Sequence, residues 1–259
     1  MSGDAGDPVD WDATSYDRVA DPQEEWGLEV LARLELDGDE TALDAGCGSG
    51  RVTRHLAERL PEGRVIGVDS APSMIEHARA ALEPFGDRIE LRVGDLLDLD
   101  LDRSVDVVFS NATFHWILDH DRLFARLFAA LRPGGALVAQ CGGEGNVAEY
   151  KRAVESSEGD ERFAPYLRGM RDTTYFASVG DTWTRLERCG FEVDRIWLEE
   201  KVVEPREPRE FVRSVGLTHH LGRLPDDLHD EFIDAVLGSM PRPLVLEYVR
   251  LNVSARRPA

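Results

Sequence analysis

Seven consecutive residues, Asp44-Ala45-Gly46-Cys47-Gly48-Ser49-Gly50, carry the clearest chemistry in this chain. They follow a short apolar run, Thr41-Ala42-Leu43, and open onto an amphipathic pattern that begins near Arg51. A strand that ends in a glycine-dense turn and continues as a helix brings backbone N–H groups close to a ligand, because glycine has no Cβ to hold it off. The next predicted strand, Arg64-Val65-Ile66-Gly67-Val68-Asp69, closes on an acid about 20 residues past the turn, where a ribose diol is gripped. A glycine turn followed at that distance by an acid marks a nucleoside-containing cofactor.

Spacing narrows the choice. The dinucleotide fingerprint G-x-G-x-x-G places its last glycine where helix and strand must pack closely. Here the glycines are Gly46, Gly48 and Gly50, and Arg51 stands where that last glycine would fall. Asp44, just before the turn, repels a pyrophosphate and attracts an ammonium group. The run resembles the D-x-G-x-G-x-G motif of class I S-adenosylmethionine-dependent methyltransferases, whose cofactor carries an amino-acid moiety and no phosphate. The resemblance implies that Asp44, Gly46, Cys47, Gly48 and Gly50 hold the cofactor, with Asp69 and Ser70 at its ribose. Gly94-Asp95-Leu96 is similar to the family motif whose acid and following N–H read the adenine, and Met74 falls where the family packs an apolar side chain on that ring. Asn111, inside Phe109-Ser110-Asn111-Ala112-Thr113-Phe114-His115-Trp116, and the turn Leu131-Arg132-Pro133-Gly134-Gly135 also match family motifs; together the matches span roughly residues 40–143 in the expected order. Ser110-Asn111-Ala112 with His115-Trp116 and Asp119-His120 resembles more narrowly the trans-aconitate 2-methyltransferase group of small-molecule carboxylate O-methyltransferases. So do Tyr248-x-Arg250-Leu251 and the opening Tyr16-Asp17-Arg18-x-Ala20. This implies a substrate pocket containing Tyr16, His115 and Trp116.

Each residue also has a plainer role. Asp44 and Asp69 suit helix caps, Met74 suits a core, Cys47 a small filler, and His219-His220 an exposed helical surface. Methyl transfer from a sulfonium is an in-line displacement that needs alignment of the reacting atoms. A carboxylate acceptor is already ionised and needs positioning and desolvation rather than a base. A phenol, amine or carbon acceptor needs a base, for which His115, the candidate catalytic residue, and His219 and His220 are available. A carboxylate is best gripped by a guanidinium fork, and Arg168, Arg171, Arg213 and Arg250 are the candidates. A polyacid calls for a small arginine-lined pocket; a lipid-like acid or acyl group calls for an elongated apolar one.

Composition bounds the rest. The 259 residues carry a net charge of −20, and Lys151 and Lys201 are the only lysines. Such a charge disfavours contact with a phosphate backbone, so no nucleic-acid partner is expected. Arg206, Arg209 and Arg213 interleave with Glu204, Glu207 and Glu210, which reads as a solvated mixed-charge face. Mean hydropathy is −0.33, and no apolar run approaches the roughly 20 residues of a membrane span. The Asp-rich N-terminus lacks the features of a signal peptide, which predicts a cytoplasmic location. Cys47, Cys141 and Cys189 follow no ligand spacing, so neither a metal nor a disulfide framework is expected. The expected partner is a small-molecule acceptor, with the protein a monomer or homodimer.

The elements that must position these residues alternate. After a helix over 11–34 come strands over 64–69, 89–93, 105–109 and 136–140, with helices over 72–82 and 122–131 between them. Repeated β-α units with apolar strands specify a parallel sheet covered on both faces. The expectation is an α/β doubly wound, seven-stranded, mostly parallel sheet of the Rossmann-like methyltransferase type with helical lid insertions. Its divisions are 1–34 as an N-terminal segment and lid helix and 35–143 as the cofactor-binding core. Residues 144–177 form a helical insertion, 178–204 a core helix and strand, 205–243 a second lid insertion, and 244–259 the final strand and tail. Both insertions would overhang the carboxyl ends of the strands, where open α/β sheets bind ligands.

Overall fold

Val107 and Val108 are neighbours in sequence and sit in different cores, because successive side chains of a strand point to opposite faces. That alternation, repeated along strand after strand, builds the molecule. A computed structural model describes residues 21–170 and 173–259; Tyr16 and Arg171 lie outside them, as do residues 1–20 as a whole.

Seven strands form one sheet: β1 Thr41–Ala45, β2 Arg64–Asp69, β3 Ile89–Val93, β4 Val105–Asn111, β5 Leu131–Gly142, β6 Glu192–Val203 and β7 Leu246–Arg256. Their spatial order is β3-β2-β1-β4-β5-β7-β6. The first five pair in parallel, with Leu43 beside Ile66 on one side and Val108 on the other. β7 runs antiparallel between β5 and β6. The helices of eight residues or more among the described residues are α1 Asp21–Leu31, α2 Arg51–Glu58, α3 Pro72–Leu82, α4 His120–Ala130, α5 Ala148–Glu158, α6 Val179–Cys189 and α7 Asp226–Gly238. α1 and α2 cover one face through Val30, Leu31, Leu56 and Ala57. α4 and α6 cover the other through Leu123, Phe124, Leu127 and Leu186.

A third apolar cluster belongs to the insertions. Tyr150 and Val154 of α5, Phe211, Leu217 and Phe232 of the segment between β6 and β7, and Trp26 of α1 bury their side chains together. Phe163 meets Phe232 edge-on at 5.0 Å, and Trp26 meets Tyr248 at 5.1 Å.

Several boundaries differ from expectation for identifiable reasons. The first helix stops at Leu31 rather than 34, its last turn tightened by i to i+3 bonds from Arg33 and Leu34. α4 begins two residues early because Asp119 accepts the Arg122 N–H as a cap. β5 begins at Leu131, so Arg132-Pro133-Gly134-Gly135 is an irregularity inside its pairing with β4. β7 continues five residues past Leu251: the polar Asn252, fully buried, is held by Gln140 and Arg33, which keeps the strand paired through a residue that reads as its end. The region 207–240 breaks into Pro208–Phe211, Val212–Gly216, Thr218–Leu221 and α7. Arg209 and Arg213 pair with Asp230 and Asp234 of α7 rather than with their glutamate neighbours.

Candidate active site

The turn after β1 folds over β2: Gly46 and Cys47 both donate N–H to the Val68 carbonyl, at 2.8 and 3.1 Å. Gly46 has φ +85°, and a Cβ there would stand 2.0 Å from Thr113 Oγ1. Gly48 has φ +53°, and a Cβ there would meet nothing within 4 Å. One glycine therefore admits a neighbouring segment, and the other leaves space open. The Gly48 N–H donates to Asp69 Oδ2 and the Ala71 N–H to Oδ1, each at 2.9 Å. Asp69 thus ties the glycine turn to the start of α3 through its two carboxylate oxygens. Burial raises its pKa against the pull of those backbone bonds.

Asp44 is 2% exposed and accepts a 2.7 Å hydrogen bond from Thr53 Oγ1 of α2. Burial pushes its carboxyl up to about 7; the Thr53 bond opposes this and the charge of Asp69 adds to it. It lines a cavity of about 80 Å³ with Gln23, Gly46, Gly48 and Asn111. Asn111 Nδ2 donates to the main-chain oxygen of Gln23 at 2.8 Å. Asn111 Oδ1 and Gln23 Oε1 are buried without a hydrogen-bond partner. A carboxylate and two orphaned acceptor oxygens around one cavity fit a ligand end rich in donors, such as an α-ammonium group. Cys47 lines the same cavity, its thiol pushed up by burial.

The other implied cofactor residues lie apart from this cavity. Ser70 is exposed at the end of β2, Met74 is buried on α3, and Leu96 is a core residue. Asp95 caps the turn Leu96–Asp98 by accepting the Leu97 N–H at 2.8 Å.

A second, larger cavity of about 300 Å³ lies beyond the carboxyl ends of β4 and β5, beneath the insertions. Residues 111–116 run between the two: Asn111 and Ala112 line the first, His115 and Trp116 the second. Ala112 holds φ +58°, and Val147, which lines the larger cavity, holds φ +45°. Side chains with a Cβ rarely take these conformations, and such strain concentrates at ligand sites.

His115 is 8% exposed. Its Nδ1 accepts the Gly142 N–H at 3.3 Å. Burial, with Arg250 and His120 nearby, holds its pKa well below the ordinary value, so the ring is neutral and carries its proton on Nε2. Phe176 stacks on His115 at 5.8 Å, and Lys151 Nζ stands 5.1 Å over the same Phe176 ring. His219 and His220 line this cavity rather than an outer surface, and burial lowers both. His219 tilts against Trp116 at 5.6 Å, and His220 Nε2 bonds Glu158 at 2.8 Å. None of the described residues among the four arginine candidates lines this cavity, although Arg250 lies near His115. Arg168 is exposed, Arg213 pairs with Asp230, and Arg250, 2% exposed, bonds Gln140 and lies over the Trp26 ring at 4.9 Å. Gln23, Lys151, Glu158 and Phe176 were not anticipated from sequence. For Lys151 its rarity was a usable signal, while Gln23 and Phe176 gave none.

A methyltransferase-domain family model matches residues 42–135. The solved structure of phosphoethanolamine N-methyltransferase 2 from Haemonchus contortus in complex with S-adenosyl-L-methionine superposes with a TM-score of 0.62 at 21% identity, over 99% of this chain and 59% of that one. The fold and the glycine-turn site define an S-adenosylmethionine-dependent methyltransferase with a Rossmann-like core. The trans-aconitate 2-methyltransferase of Methylobacterium radiotolerans is 32% identical over 88% of this chain and 87% of its own length. That of Methylobacterium nodulans is 30% identical over 96% and 99%. The chain belongs to the trans-aconitate 2-methyltransferase family. Among the described residues no helix is long and apolar enough to cross a membrane, and no group of side chains could hold a metal ion.

Proposed function

We propose that the chain O-methylates the carboxylate of a small organic acid. The observation that carries this reading is that His115 and Lys151 both line the larger cavity and both contact the Phe176 ring. With Nδ1 engaged by Gly142, His115 offers an N–H donor, and Lys151 brings an ammonium group to the same cavity. An N–H donor and an ammonium group in one cavity suit an acceptor that arrives ionised. When bound, S-adenosylmethionine supplies a sulfonium methyl to the carboxylate oxygen while the C–S electron pair returns to sulfur, so no proton moves.

In this reading Asp44, Gln23 and Asn111 hold the ammonium end of the cofactor, Asp69 and Ser70 the ribose, and Asp95, Leu96 and Met74 the adenine. Their positions along the carboxyl ends of β1 to β3 and on α3 support the assignment. His115 and Trp116 orient the acceptor, and the insertions, with α1, act as a lid that excludes water from it. Trans-aconitate, on which the relatives are named as acting, is the reference acceptor. S-adenosylhomocysteine formation measured against matched panels of carboxylates, phenols and amines tests the reading. Turnover confined to carboxylates supports it, and turnover confined to phenols or amines overturns it.

A further inference from the structure

The larger cavity is built for a different shape and charge from that of a polyacid. The chain contains 28 arginines and two lysines, yet none of the described residues lining this cavity is an arginine, and one of the two lysines is there. Lys151 is the lysine among the described lining residues, and burial lowers the pKa of His115, His219 and His220 beside it in the lining. Glu155 and Glu158 share its wall. On α5 they follow Lys151 by four and seven residues, hence on one face, about 6 and 10 Å further along the axis. His220 is already bonded to Glu158. The remaining wall is largely apolar, with Val154, Met170, Phe211, Val212, Val215 and Leu246.

We infer that the acceptor is an elongated monocarboxylic acid, its carboxylate at the Lys151–His115 end and an apolar body running along α5 toward Glu158. The inference rests on the carboxylate reading above and sharpens it. A compact tricarboxylate would set its second and third charges within a few ångströms of the first, beside Glu155 and with no described arginine to meet them. An acid with one charge and a hydrocarbon body leaves the two glutamates unopposed and fills the apolar wall. A cavity of about 300 Å³ lies at the small end of the range for ligand sites.

The test compares butanoate, hexanoate, octanoate, decanoate and trans-aconitate as acceptors for the full chain, by S-adenosylhomocysteine release. Calorimetric titration of the same acids into the protein loaded with S-adenosylhomocysteine accompanies it. The expected result is a rise of at least tenfold in kcat/KM from butanoate to octanoate, with trans-aconitate at least tenfold below octanoate. Lys151→Met is expected to raise KM for octanoate at least tenfold with kcat within about threefold. Val215→Trp, checked for folding by S-adenosylhomocysteine binding, is expected to shift the optimum toward shorter acids. Trans-aconitate exceeding octanoate, above all if Arg171→Ala abolishes that activity, overturns the monocarboxylate inference and leaves carboxylate methylation standing. Absence of both binding and turnover for every monocarboxylate also overturns it. Turnover of phenols or amines alone removes the carboxylate reading itself.

Discussion

The smaller cavity takes its form from a glycine turn at the strand ends, and the larger one from side chains of several separate segments. Around the glycine turn the decisive groups are the Gly46, Cys47 and Gly48 N–H groups, folded onto Val68 and Asp69. Asp44 and Asn111 extend directly from β1 and β4. Around the larger cavity they are Lys151, Phe176, His219 and His220, gathered from segments far apart in sequence that share a buried apolar cluster and the His220–Glu158 bond. The first arrangement tolerates few substitutions because the backbone path is the binding surface. The second can change its ligand by exchanging side chains while its cluster stays buried. The two cavities thus draw on different parts of one fold and, among the described residues, share only the stretch 111–116.

The sharpest way to break this contrast is Gly46→Ala. Overlap with Thr113 and strain at φ +85° should together cost about 4 kcal/mol and abolish S-adenosylhomocysteine binding. Chemical denaturation and calorimetry read both, and Gly46→Ala with Thr113→Ala should recover part of the stability. Wild-type affinity in the single variant would show that the turn is not the site.

Next comes Phe232→Ala. It empties a fully buried position in the insertions and should cost the protein about 3 to 4 kcal/mol. Acceptor turnover should drop more than tenfold, while S-adenosylhomocysteine affinity stays within threefold. Parallel loss of both would mean that the two regions do not separate.

Asp44→Asn keeps the acceptor for Thr53 but removes the charge. Cofactor affinity should fall about a hundredfold, near 2.7 kcal/mol. The same variant should melt a few degrees higher than the wild type at pH 8 without ligand. The sign follows from the raised carboxyl. Because the folded Asp44 holds its proton up to about 7 against 3.8 unfolded, its contribution to stability is complete below 3.8 and is lost as pH rises through 7. Differential scanning calorimetry across pH 4 to 8 checks this.

The smallest expected effect shares that origin. An ammonium-bearing ligand prefers ionised Asp44, so S-adenosylhomocysteine affinity should climb by up to tenfold per pH unit below 7 and flatten above it. Asp44→Asn should be nearly flat. A wild-type profile that falls with pH would remove Asp44 from the ammonium site.

What sequence revealed divides along the same line. Strands β1 to β4 were readable to within two residues because β1, β2 and β4 are largely apolar and β3 alternates apolar with charged residues, with β1 to β3 each ending at or beside a glycine or an acid. The glycine turn and Asp69 were readable because their chemistry is local. The extent of β7 was not, because Asn252 remains in the strand through side chains of Gln140, more than 100 positions earlier, and of Arg33, still further away. Nor was the composition of the larger cavity. Nothing local to Lys151 foretells Phe176, and His219-His220 gave no sign of turning inward under Phe232 and Trp116. Among the described arginine candidates, Arg168 is exposed, Arg213 pairs with Asp230, and Arg250 is buried near His115 without lining the larger cavity, placements that depend on tertiary packing.

Residues 111–116 have a last consequence. This stretch is the party wall between two rooms, and a wall cannot be moved for one tenant alone. Remodelling through His115 or Trp116 is transmitted along the strained Ala112 and Thr113 to the floor beneath Gly46. Lineages that adopt new acceptors should therefore accumulate their changes in 144–177 and 205–243, and keep this short span nearly unaltered whatever they methylate.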